Sequence, residues 1–113
     1  MIGSNVPVIG GISTAFQYAK EWGCEVIQLY ITPSRTWKVP DLDDDYVNQF
    51  KKLVEVSKVK CIVAHVPFLV NLASSDVEKR KKSVQRLMKE YERAGELNIP
   101  YIVLHPGSCG ELD

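Results

Sequence analysis

A chain of 113 residues, 45% hydrophobic and 25% charged, has the make-up of one globular domain and excludes a disordered or fibrous segment. Fourteen basic and fourteen acidic residues cancel, so no global positive field draws the protein to nucleic acid and any such binding rests on a local patch. The opening residues Met1 to Pro7 lack the charged and apolar regions of a signal peptide, and no apolar run approaches the roughly 20 residues of a membrane span. Cys24, Cys61 and Cys109 are odd in number and form no CxxC pair, which argues against a disulfide framework or zinc ribbon and for a reducing, cytoplasmic location with no membrane partner.

In chain order, the first element is a short strand near 1–5, where Gly3 and Ser4 suit a crowded interior. A helix near 12–22 follows, because Ile12, Ala15, Phe16, Ala19 and Trp22 recur at helical spacing and Gly23 stands where a left-handed C-terminal cap is expected. The run Glu25–Ile31 predicts a second strand near 25–31, rich in branched and aromatic residues and lacking polar alternation, as in strands covered on both faces. The segment Thr32 to Pro40 after it carries Arg35, Thr36, Trp37 and Lys38 on a loop.

A second helix is predicted near 42–57. Asp41 is its expected N-cap, Tyr46, Val47, Phe50, Leu53 and Val54 form one face, and Asp43, Asp44 and Asp45 lie near the positive end of the dipole. That triple acidic run reads as capping and not as a metal site. A third strand near 60–65 ends at His65, and a third helix near 75–97 opens with Ser75-Asp76-Val77-Glu78, a match to the capping box. Its expected apolar stripe is Val77, Val84, Leu87, Met88, Tyr91 and Ala94, with Lys79 to Lys82 on a solvated face. A fourth strand near 101–105 ends at His105.

The order βαβαβαβ predicts an α/β protein with a parallel sheet and crossover helices. Two closures satisfy it: an open doubly wound sheet, or the first part of a (β/α)8 TIM barrel, whose full length is about 250 residues. No linker or boundary divides the chain, so 1–113 is expected to be a single, partial domain. Such a fragment would expose sheet edges and invite self-association.

His65 and His105 are the only histidines, each placed where an apolar run meets a Pro-containing turn, and one strand-loop-helix-loop repeat separates them. Ligands and metals are held at the carboxyl ends of parallel strands, so two imidazoles on adjacent strand ends can converge on one ion. The plainer reading is that each histidine caps its strand through hydrogen bonds. Arg35 can hold a phosphate bidentately and Trp37 can stack on a base, against the alternative of an ordinary exposed loop. Phe68 is either a packed apolar residue or a wedge between bases. No catalytic group beyond the metal ligands stands out.

Taken together, Gly3 with Gly10-Gly11, Arg35-Thr36-Trp37, the segment His65-Val66-Pro67-Phe68-Leu69-Val70-Asn71-Leu72-Ala73-Ser74, and His105-Pro106-Gly107-Ser108 resemble the N-terminal portion of the endonuclease IV family. These are zinc-dependent apurinic/apyrimidinic endonucleases among the xylose isomerase-like TIM barrels. The resemblance implies hydrolysis of the phosphodiester 5′ to abasic sites in double-stranded DNA, with up to three zinc ions as cofactor. It makes His65 and His105 ligands of one zinc, puts Arg35 and Trp37 on a DNA-contacting loop, and sets Phe68 against the distorted abasic site, where the family more often has Tyr. Asn5 and Cys109 stand where the family commonly has His.

The family draws its remaining Glu, Asp and His ligands from later strands, so this chain alone is expected to be inactive as a nuclease. A metal-dependent sugar isomerase or epimerase of the same superfamily is the alternative enzyme, and a non-catalytic assembly module is the alternative outside enzymes.

Overall fold

The computed structural model describes residues 1–110 and contains four strands and three helices in strict alternation. They are β1 (Gly3–Asn5), α1 (Ile12–Glu21), β2 (Val26–Leu29), α2 (Asp44–Val56), β3 (Cys61–His65), α3 (Val77–Glu96) and β4 (Tyr101–Val103). The strands form one sheet in the spatial order β1-β2-β3-β4, every pair parallel. A doubly wound sheet reverses its strand order at a switch point. Here each strand lies beside its predecessor without reversal, so the sheet is wound in one direction, as in the first part of a (β/α)8 barrel.

One face of the sheet is covered by the helices. Ile27 and Leu29 of β2 and Ile62 and Ala64 of β3 join Ile12, Ala15, Phe16 and Ala19 of α1, Phe50 of α2 and Ala94 of α3 in a single buried cluster. Phe16 and Phe50 meet edge to face at 5.9 Å, which ties α1 to α2. The intervening residues Val26, Gln28, Cys61 and Val63 are only half-buried, so the strands are not covered on both faces as their composition predicts. In a barrel that second face points to the interior.

All seven predicted elements exist, but their ends differ. β1, β2 and β4 are shorter than expected, whereas β3 runs to His65 as predicted. Ile31 and Thr32 remain buried beyond the end of β2, and His105 lies past the end of β4. At the end of β2, apolar composition reports burial, whereas ladder pairing stops where the chains diverge.

Asp43, not Asp41, caps α2, accepting a hydrogen bond from the Tyr46 amide at 2.6 Å. Asp76, not Ser75, caps α3, its carboxylate accepting from the amides of Glu78 (2.9 Å) and Lys79 (3.1 Å). Glu78 therefore does not close a capping box; it faces Lys81 at 3.6 Å. Gly23 follows α1 with φ +67, as its position predicts, while Trp22 lies outside the core, 52% exposed and tilted against Tyr18 with ring centroids 4.9 Å apart.

The largest departure concerns the face α3 buries. Val77, Val84, Met88 and Tyr91 are exposed, and only Ala94 of the expected stripe is fully buried. The buried positions are Ser83, Arg86, Glu90 and Arg93, spaced at three and four residues along one face. Periodicity reasoning takes the apolar stripe as the inner one; here polar and charged side chains occupy it instead, each of them hydrogen-bonded, with Glu90 Oε2 left without a partner. Lys79 to Lys82 are exposed, as expected of a solvated face. Cys24, Cys61 and Cys109 are all free thiols.

Candidate metal centre and its surrounding loops

His65 is the last residue of β3 and pairs in register with Val103, the last residue of β4. The ladder continues one bond further, from the Val66 amide to the Val103 carbonyl at 2.9 Å. Beyond it the two chains separate into loops, and the next residues of β4's loop are Leu104 and His105. Parallel pairing of adjacent strands thus delivers both imidazoles to the same end of the sheet, their ring centroids 5.3 Å apart.

The loops are fastened to each other. The Asn71 side chain donates from Nδ2 to the Ser108 carbonyl at 2.9 Å and accepts at Oδ1 from the Ala73 amide at 3.1 Å. The amides of Leu72 and Ala73 both donate to the Pro106 carbonyl, at 3.0 and 3.2 Å. Gly107 turns at φ +91 against Asn71, where a Cβ would collide with the Asn71 side chain. His105 is therefore held by a clasp between the loop after β3 and its own loop, although its side chain is exposed.

The ring of His65 is half-buried, with the Tyr30 ring edge-on at 5.4 Å, and its Nδ1 is buried without a hydrogen-bond partner. Burial, and secondarily the neighbouring His105, hold its pKa below the usual imidazole value. A neutral imidazole with an unused, buried nitrogen is the state a divalent metal requires of its ligand. The alternative in which His65 merely caps its strand would leave that nitrogen bonded to the backbone. These two residues thus fit a zinc ion as two donors. Among the described residues no third His, Cys, Asp or Glu joins them.

Beside His65 a cavity of about 180 Å³ opens among Asn5, Val6, Gln28, Leu29 and Tyr30, at the carboxyl ends of β1 to β3. Gln28 donates to the Asn5 side-chain carbonyl on its rim. A larger hollow of about 360 Å³ lies at the opposite end of the sheet among Val54, Val59, Cys61, Leu97 and Pro100. That end carries the stability face of a (β/α)8 fold, not its chemistry.

Arg35 is exposed and Trp37 half-buried on the loop after β2, and Phe68 is 73% exposed on the loop after β3. All three follow carboxyl ends of strands. No hydrogen bond among the described residues links Arg35 or Trp37 to either histidine. Sequence reasoning missed the clasp of Asn71 and the buried charges of α3. The one available signal for the clasp was Gly107, directly after a His-Pro pair.

Comparison with known proteins agrees with this geometry. Residues 16–112 match the family model of the xylose isomerase-like TIM barrel. The probable endonuclease 4 of Cenarchaeum symbiosum is 39% identical over 111 residues, covering 95% of this chain and 39% of that protein. The probable endonuclease 4 of Methanoculleus marisnigri is 38% identical over 107 residues, with 95% and 38% covered. The crystal structure of endonuclease IV from Thermus thermophilus superposes with a TM-score of 0.80 at 30% identity, covering 93% of this chain and 40% of that one. The chain thus spans about two-fifths of the length of the relatives it matches.

Proposed function

The chain belongs to the xylose isomerase-like TIM barrel family, and from that premise we propose that it is the N-terminal part of a zinc-dependent endonuclease IV-type barrel acting on abasic sites in double-stranded DNA. Residues 1–113 make one partial domain of that barrel. The observation that carries this reading is the pairing of His65 and His105 at adjacent strand ends, with the buried Nδ1 of His65 left without a partner. The kinship with proteins named endonuclease 4 supports DNA over a sugar as substrate.

His65 and His105 would hold one zinc ion. Bound zinc supplies charge neutralisation and Lewis-acid polarisation at a phosphodiester. The chain's own residues do the rest of what it contributes. Burial, and then the neighbouring His105, favour the uncharged form of His65, which would offer a lone pair to the ion without repulsion. Arg35 reaches solvent from its loop and suits a phosphate oxygen pair, while Trp37 and Phe68 present rings that stack on or wedge beside unpaired bases. With no net charge to attract DNA, affinity depends on such local contacts and falls with salt by few counterions. Among the described residues no helix is long and apolar enough to cross a membrane.

The test is a comparison of abasic-site duplex, undamaged duplex and small sugars as ligands of the zinc-loaded chain. Preference for the abasic duplex, weakened by Arg35→Ala, supports the reading; equal or tighter binding of sugars overturns it. Incision by the 113-residue chain alone is expected at background, because two histidines without further carboxylates hold no multinuclear cluster.

An assembly reading is favoured by a separate observation. Val77, Val84, Met88 and Tyr91 form an exposed apolar stripe on α3, and Tyr101 and Val103 are exposed on the edge strand β4. Such a surface pairs with another chain or with a second copy.

A further inference from the structure

The inner face of α3 is charged where a crossover helix is ordinarily apolar. Arg86 is 2% exposed and Glu90 1%. Arg86 donates from Nε to Glu90 Oε1 at 3.0 Å, from Nη2 to Thr32 Oγ1 at 2.9 Å and to the Pro33 carbonyl at 2.7 Å, and from Nη1 to the Thr36 carbonyl. Thr32 in turn donates its hydroxyl to Glu90. Two helical turns along, Arg93 donates to the Ile31 carbonyl at 3.1 Å and to the Pro40 carbonyl. Two guanidinium groups therefore grip the loop after β2 at its start, middle and end.

Arg35 lies in the middle of that grip. The carbonyls of Pro33 and Thr36, on either side of it, bind the same Arg86 guanidinium, whereas the Arg35 side chain is exposed and makes no hydrogen bond of its own among the described residues. The loop has prolines at both ends and no ladder or helix to satisfy its carbonyls. A planar fork of five donors reaches two carbonyls from two separate nitrogens in fixed directions; an ammonium offers its three donors from a single nitrogen, and an apolar side chain offers none.

We infer that Arg86, with Glu90 and Arg93, is a positioning residue: it fixes the backbone around Arg35 so that this side chain is presented in one orientation to a phosphate. Glu90 keeps the guanidinium of Arg86 oriented, and Arg93 sets the far end of the loop. This rests on the DNA reading of Arg35 above, and the charge of α3's inner face is what that presentation costs in packing.

The test uses the 113-residue chain in a Trp22→Phe background, where Trp37 is the single indole. The double variant Arg86→Met with Glu90→Leu removes the pair together, leaving no uncompensated buried charge, and so retains a cooperative melt. Positioning predicts that trypsin cleavage after Arg35 and Lys38 speeds by about tenfold and that Trp37 anisotropy falls, while the melt persists. Unchanged cleavage and anisotropy in the folded double variant overturn the inference.

If the double variant does not fold, Arg86→Lys, which keeps the charge but loses the rigid two-nitrogen fork, takes its place. Faster cleavage with lower anisotropy then supports positioning, and no change in either overturns it. Abasic-duplex affinity separates the two claims. Arg35→Ala without effect on affinity sinks the DNA reading, and loop mobility still decides the tether. If Arg35→Ala weakens binding and the loosened loop does not, presentation by Arg86 is refuted.

Discussion

The imidazoles of His65 and His105 stand 5.3 Å apart because β3 and β4 are parallel neighbours whose last paired residues are His65 and Val103. The buried Nδ1 of His65 makes no hydrogen bond, which supports the proposed sharing of an ion by the pair. Zinc titration against a chromophoric chelator should show that His65→Ala and His105→Ala each weaken binding at least about tenfold. Parent-like zinc affinity in both variants would remove the two residues from the ligand set.

The clasp that holds His105 should be sensitive to a single methyl group. Gly107→Ala places a Cβ against Asn71 at a residue with φ +91, and should lower stability by about 1–3 kcal/mol. Asn71→Ala, which removes the bonds to Ser108 and Ala73, should cost about 1–2 kcal/mol. Urea midpoints at constant slope measure both.

Phe50 has no exposed surface and is the contact of α2 with Phe16. Phe50→Ala should cost about 3–5 kcal/mol, a large share of the roughly 5–15 kcal/mol typical of a domain. Thermal melts followed by circular dichroism should show a steep fall in Tm; a shift of only a few degrees would mean that α2 is not fastened through this ring.

The exposed face of α3 should drive association of this chain. Met88→Glu together with Tyr91→Lys, both at exposed positions, should move sedimentation profiles towards monomer without lowering Tm. A parent that sediments as a monomer at high concentration would show that the stripe attracts no second copy.

Glu25 offers a pH test on the opposite end of the sheet. The Lys60 ammonium, bonded to it at 2.8 Å, holds its carboxyl below the usual value of 4.5. A depressed carboxylate pKa means the pair's stabilisation is present above the unfolded value and is lost as pH falls through the folded one. The Tm gap between the parent and Lys60→Met should therefore be open at neutral pH and close on acidification. Both groups are solvent-accessible, so added salt should narrow it too.

Much of the site was legible before the fold because its signals are local. A histidine at the junction of a branched apolar run and a proline turn marks a strand end wherever the strand sits. Asn71 was legible only as part of a motif; that its side chain bonds Ser108 across two loops depends on β3 and β4 being neighbours. The capping aspartates were displaced from their expected positions by one or two residues, since Asp41 and Asp43, or Ser75 and Asp76, offer nearly equal caps in sequence.

Periodicity and turn chemistry within a few neighbours suffice for the alternation of strands and helices and for the strand-end placing of both imidazoles. Long-range packing was needed to run the sheet β1-β2-β3-β4 without reversal and to bring His65 against His105. The same packing turns Arg86 and Glu90 of α3 inward and leaves Met88 and Tyr91 in water. Burial of a guanidinium becomes favourable when several carbonyls converge on it, and those carbonyls come from a loop some fifty residues away in the chain. No local pattern on a helix can announce them.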